Sequence, residues 1–182
     1  MVSKLGNVTL PMNTTLRQRI IDWDGKSKDE IEKVYLEYSS SPQFASTLIG
    51  LCSDESINVG ATWLLKHGLE QGLSISNAQT GNILKTLSNI IHWEAQLHIL
   101  QCLPFFKISK TDKSSVESFL RVTITSSNKF VRAWSYNGFY VLSQQYPEYI
   151  EETQLFFDMA MRDEAASVKA RIRNLMKNGF HQ

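Results

Sequence analysis

Cysteine is scarce in this chain, which holds only Cys52 and Cys102 among 182 residues. Two thiols build no disulfide framework and, alone, no zinc cluster. Both lie in apolar surroundings, so they are expected as buried, reduced thiols. Long apolar runs are missing too: none approaches the ~20 residues of a spanning helix. Residues 1–10 carry one lysine and no apolar core of signal-peptide length. The expectation is a soluble cytoplasmic protein with no membrane contact. Charge of one sign is not in excess. The formal net charge is +1, whereas proteins that grip nucleic acid by neutralising phosphates usually show a strong basic surplus. Gly-x-Ser-x-Gly and Gly-rich phosphate loops are absent, and no zincin spacing of histidines occurs. No catalytic residue, cofactor or metal is expected.

What is present is enough for one folded domain. The apolar fraction is 42%, the share a globular domain needs, and the length allows a sizeable core. The strongest signal is a short pattern, apolar-x-Ala, that returns four times. It reads Val59-Gly60-Ala61, Trp93-Glu94-Ala95, Val131-Arg132-Ala133 and Val168-Lys169-Ala170. The copies stand 34, 38 and 37 residues apart, a step typical of stacked helix pairs. Upstream of each lies an apolar helical stretch, such as residues 44–51, 116–124 and 149–161. Short polar turns follow, at residues 53–56, 126–128 and 162–164. Their Ser, Asp and Asn side chains can cap the next helix.

These residues resemble the HEAT-repeat family of the armadillo-like class. That family's unit ends one helix in an Asp-bearing turn and opens the next with Val-Arg and small residues. Val131-Arg132 and Val168-Lys169 fit the opening; Asp54 and Asp163, each five residues before the Val, fit the turn. The resemblance spans residues 42–177 and departs from the pattern at Trp93-Glu94 and at Gly60. It implies an all-α fold, a right-handed α-solenoid of about four stacked antiparallel helix pairs with an N-terminal helical cap. The whole of residues 1–182 then forms one domain, with leader and cap over 1–41 and repeats over 42–182. Residues 1–14 read as an extended leader. Thr14 or Thr15 is placed to cap a short helix to Trp23, and Ser27 with Glu30 has capping-box spacing. The polar stretch 109–115 is expected as an inter-repeat loop.

Extended curved surfaces are what solenoids present to partners, and on this reading the second helix of each pair lines the concave side. Trp63, Trp93 and Trp134 all fall on those helices; Trp93 is expected as filler between pairs. Trp134 stands among Tyr136, Phe139 and Tyr140, some of which must face outward. The last helix carries Lys169, Arg171, Arg173 and Lys177 and no acid, while the helix before it carries Glu148, Glu151, Glu152, Asp158, Asp163 and Glu164. Arg132, Trp134, Tyr136, Tyr140, Lys169, Arg171 and Arg173 are therefore the candidate binding residues of a non-enzymatic module for an acidic protein partner. Arg171 and Arg173, two apart, should diverge around the helix. Ala95 and Ala133 are expected at close helix approaches, and Arg132 is expected to meet Glu94 or Asp163.

Two other readings are weaker. Glu94 and His98 share a helical face, but such a pair alone is ordinarily a surface contact. The resemblance also admits a HEAT-like DNA-binding protein or alkylpurine DNA glycosylase. Such a site needs an inner carboxylate, framing aromatics and a basic track, and the inner helices offer only Glu70 and Glu94.

Overall fold

The computed structural model describes residues 12–179. Residues 1–11, most of the expected extended leader, lie outside the described residues. Every regular element among the described residues is helical. They are α1 (Met12–Ile21), α2 (Lys28–Tyr38), α3 (Phe44–Leu51), α4 (Asn58–Glu70), α5 (Asn77–Lys85), α6 (Trp93–Cys102), α7 (Lys113–Thr123), α8 (Lys129–Gln145), α9 (Ile150–Asp163) and α10 (Ala166–Asn178). Single 3-10 turns stand at Leu87–Asn89, Leu103–Phe105 and Pro147–Tyr149.

Local chemistry sets the boundaries. Ser27 caps α2 by accepting from the Glu30 N–H. Ser76 and Gln79 form a reciprocal capping box at α5, which satisfies two otherwise orphaned N–H groups. Asn128 caps α8 by accepting from the Phe130 N–H. The first helix starts at Met12 rather than after a threonine cap: the Thr15 hydroxyl lies inside it and donates to the Met12 carbonyl. The expected loop over 109–115 ends earlier as well, because Ser109 bonds Asp112 and leaves Lys113 free to open α7.

The helices pack in two rows. In the first row α1 packs on α3, α3 on α5 and α5 on α7. In the second row α2 packs on α4, α4 on α6, α6 on α8 and α8 on α10. Contacts between α3 and α4, α7 and α8, and α9 and α10 tie the rows together. Many side-chain hydrogen bonds join residues roughly one helix pair apart in the chain. Arg17–Asp54, Thr62–His98, Gln145–Ile108, Arg121–Glu152, Arg132–Glu164 and Tyr140–Gly179 span 31 to 39 residues. Others are shorter: Arg19–Glu37 and Thr153–Phe139 span 18 and 14 residues.

The recurring pattern opens α4, α6, α8 and α10. Its alanines Ala61 and Ala95 are fully buried and Ala133 nearly so. Gly60 has a physical reason for departing from the pattern. A Cβ there would meet Ile20 Cγ2 at 2.7 Å and the Trp23 ring at 3.2 Å, so glycine lets α1 lie close over the start of α4. Gly138 plays the same part on α8, where a Cβ would run into Leu120 and Leu103. Trp93 corrects the expectation of core filler: it is 41% exposed. It opens α6 directly after the His92 cap, ahead of the first turn that packs. Both cysteines are fully buried, and burial pushes their thiols well above the ordinary range, that of Cys52 to about 12. Buried cores run from Leu16 to Tyr149 and, separately, among Ala133, Tyr136, Phe157, Val168, Ile172 and Leu175.

Candidate binding face on the second helical row

In the second row α8 packs against α6, α7, α9 and α10, whereas α10 packs against α8 and α9. Helices α8 and α10 carry no carboxylate, although together they hold Lys129, Arg132, Lys169, Arg171, Arg173 and Lys177. The acids sit instead on α9 and in the turns beside it.

Arg171 is held against an aromatic ring. Its guanidinium lies over the Trp134 indole, 3.7 Å from the ring centre. Its Nη1 points toward the Asn137 amide oxygen at 3.5 Å. It is half-buried, burial lowers its pKa from the usual arginine value, and it forms no ion pair among the described residues. Stacking on one face fixes the plane of the fork while its edge N–H groups stay available. This arrangement can receive a carboxylate or another flat anion side-on.

The other expected residues have different duties. Arg132 donates from Nε and Nη2 to the two Glu164 oxygens at 2.7 and 2.9 Å, and from Nη1 to the Ser126 and Ser127 carbonyls. Glu164, and neither Glu94 nor Asp163, is its partner. Asp163 ends α9 facing solvent, whereas extended backbone at Glu164 turns that carboxylate back toward α8. Arg132 holds the Glu164 carboxyl below the usual range. It thus spends its donors joining two turns. Tyr136 is 8% exposed against Phe157, and burial raises its hydroxyl to about 12. Tyr140 donates to the Gly179 carbonyl at 2.8 Å. Lys169 donates to the Arg162 carbonyl across the turn between α9 and α10. Arg173 is exposed and diverges from Arg171 as the spacing required. Of the expected set, the fold brings Trp134 and Arg171 together and uses Arg132, Tyr136, Tyr140 and Lys169 for its own bonds.

A second aromatic cluster lies at the other end of the row. The His67 ring stacks on Trp63 at 4.9 Å and receives the edge of Tyr35 from α2 at 4.8 Å. Lys66 stands 5.7 Å from the Trp63 ring and pairs with Glu70 at 3.3 Å. The i, i+4 spacing of Trp63 and His67 was visible in the sequence, but Tyr35 comes from another helix. Phe130, 52% exposed, extends the apolar surface beside Trp134 along α8.

The histidines do not form a reactive site. His98 sits against Thr62, its Nδ1 sharing a 3.1 Å hydrogen bond with the hydroxyl. Burial, reinforced by the Lys66 charge, lowers its pKa to about 4, so the ring is neutral near pH 7. His92 Nδ1 accepts from the Glu94 N–H and serves as a cap. Among the described residues no three His, Cys, Asp or Glu side chains gather to hold a metal. No helix among them is long and apolar enough to cross a membrane. Comparison with protein-family models, with curated proteins and with solved structures finds no match.

Proposed function

We propose that this chain is a non-enzymatic interaction module, a short right-handed α-solenoid of HEAT type whose second-row face holds an acidic segment of a protein partner. The repeating step of the chain and the similar span of many of its long-range hydrogen bonds support the solenoid. The observation that carries the binding reading is Arg171: a half-buried guanidinium, stacked on Trp134, with no carboxylate beside it among the described residues. Partial burial of an unpaired charge is unfavourable, and an incoming acid relieves it. Arg and Trp are also the residue types that most often dominate binding energy. The Trp63–His67–Tyr35 cluster offers a second anchor along the same row.

A protein partner is favoured over nucleic acid because the cations are few and the whole chain is nearly neutral. A glycosylase would need an acid beside the aromatic platform. Glu70 is held by Lys66, and Glu94 lies 3.8 Å from His92, so neither attends Trp134. The test is anisotropy with a labelled Glu-rich peptide and, in competition, a duplex oligonucleotide. The peptide should bind, and binding should weaken as salt rises. Arg171→Met should lose tenfold or more, and Arg173→Ala less than twofold. Unchanged affinity in Arg171→Met contradicts the reading. Displacement of the peptide by oligonucleotide at far lower concentration replaces it with a nucleic-acid one.

A further inference from the structure

The first row carries a feature that the binding reading does not use. Its helix α5 has only nine residues, ends at Lys85 and passes into the 3-10 turn Leu87–Asn89. The neighbouring α7 runs on to Thr123. Gly81 of α5 faces Asp112, just before α7, so the end of α5 and the 3-10 turn run alongside the body of α7. There α7 presents Ser114, Ser118 and Val122 in one stripe at four-residue spacing. The adjoining stripe, with Glu117 and Arg121, is engaged with Tyr149 and Glu152. Small serines face a helix that stops short, and a cavity of about 460 Å³ opens between them.

The lining has a clear chemical polarity. Leu84, Leu87, Ile90 and Phe119 form an apolar wall, and Ile91 and Val122, 72% and 63% exposed, flank it. Ser88, Ser114, Ser115 and Ser118 supply hydroxyls. No carboxylate lines the cavity; its one charged group is Lys85, which makes no ion pair among the described residues. From Ser114 to Val122 the groove follows about 12 Å of helix, the reach of an extended medium-length alkyl chain. The volume lies within the range of small-molecule sites.

We propose that this groove is a binding site for a linear apolar carboxylate, a medium-chain fatty acid or its equivalent. The alkyl chain lies along the apolar wall toward Ile91 and Val122. The carboxylate meets Lys85 and the serine hydroxyls. The site is distinct from the acidic-partner face: apart from Gln96 of α6, its lining comes from α5, α7 and the segment between α5 and α6, and it shares no residue with the Trp134–Arg171 pair.

Calorimetric titration of the full chain with decanoate and with decan-1-ol, below their aggregation limits, tests this. Decanoate should bind at one site and more tightly than decanol. Ser118→Phe, which fills the groove from an exposed position, should weaken decanoate tenfold or more. Ser115→Leu serves the same purpose should Ser118→Phe lose its helical circular-dichroism spectrum. Lys85→Gln should weaken decanoate several-fold and leave decanol unchanged. Absence of decanoate binding, or full affinity in the folded groove-filling variant, overturns the site. Equal affinity for both ligands with a neutral Lys85→Gln overturns the anionic class.

Discussion

His98 shows how a single side chain reports the packing of two helices. Its ring is held between α6 and Thr62 of α4, and burial drives its pKa down to about 4. The unfolded chain takes up that proton near pH 6.5. Below that value the unfolded state binds more protons than the native state, so stability falls as pH falls. The His98 contribution is present above pH 6.5 and is lost progressively toward pH 4, with an upper limit of roughly 3 kcal/mol. Urea unfolding at pH 7 and pH 4.5 should therefore show a larger acid loss for the native sequence than for His98→Gln. Equal losses would place the ring in water. The neutral imidazole was not legible in the sequence, where His98 stood four residues from Glu94 and invited a pairing with it. The fold instead turns the ring toward a residue 36 positions earlier. Arg132 teaches the same lesson: the sequence marked it as a register contact, yet the backbone at residue 164 decided which acid it meets.

At the scale of the helix, the alanine of the recurring pattern is buried in three of its four copies. Ala133 of α8 packs into a cluster with Val168 and Ile172 of α10. Ala95 is fully buried on α6, which packs between α4 and α8. Ala170 occupies the same position on α10 and is exposed, because among the described residues no helix follows to cover it. The pattern was legible because close helix approach demands a small side chain at one fixed position. The two sites should respond differently to one change. Ala133→Leu should cost ~1–3 kcal/mol by overpacking, and Ala170→Leu should stay within ~0.5 kcal/mol of neutral. Thermal unfolding of both variants distinguishes them; an unchanged midpoint in Ala133→Leu would contradict the close approach of α8 and α10. Gly60 adds the converse case. Its departure from the pattern marks where α1 lies against α4, a constraint that no local reading of residues 59–61 could supply.

Across the whole molecule, the sharpest charge segregation lies at the carboxyl-terminal end, between α9 and α10. The first row and its turns carry the acids of α9 and an apolar groove along α7. The second row carries Trp134 with Arg171 at one end and Trp63 with His67 at the other. The sequence revealed the segregation, since α10 has four cations and no acid within 13 residues. It could not reveal which cations the fold consumes. Arg132 and Lys169 bond to the end of α9 and the turn beside it, and Tyr136 fills a core against Phe157 in the middle of α9. Only the three-dimensional arrangement shows that Arg171 lies on an aromatic face without a counter-ion among the described residues. The central claim is that this second-row face is where an acidic partner docks. Hydrogen–deuterium exchange of the full chain, with and without a saturating Glu-rich peptide, tests it most directly. The account predicts slowed exchange in α8 around Trp134 and in α10 around Arg171, with α5 and α7 unchanged. Protection confined to α5 and α7, or none on α8 and α10 under saturating peptide, would contradict it.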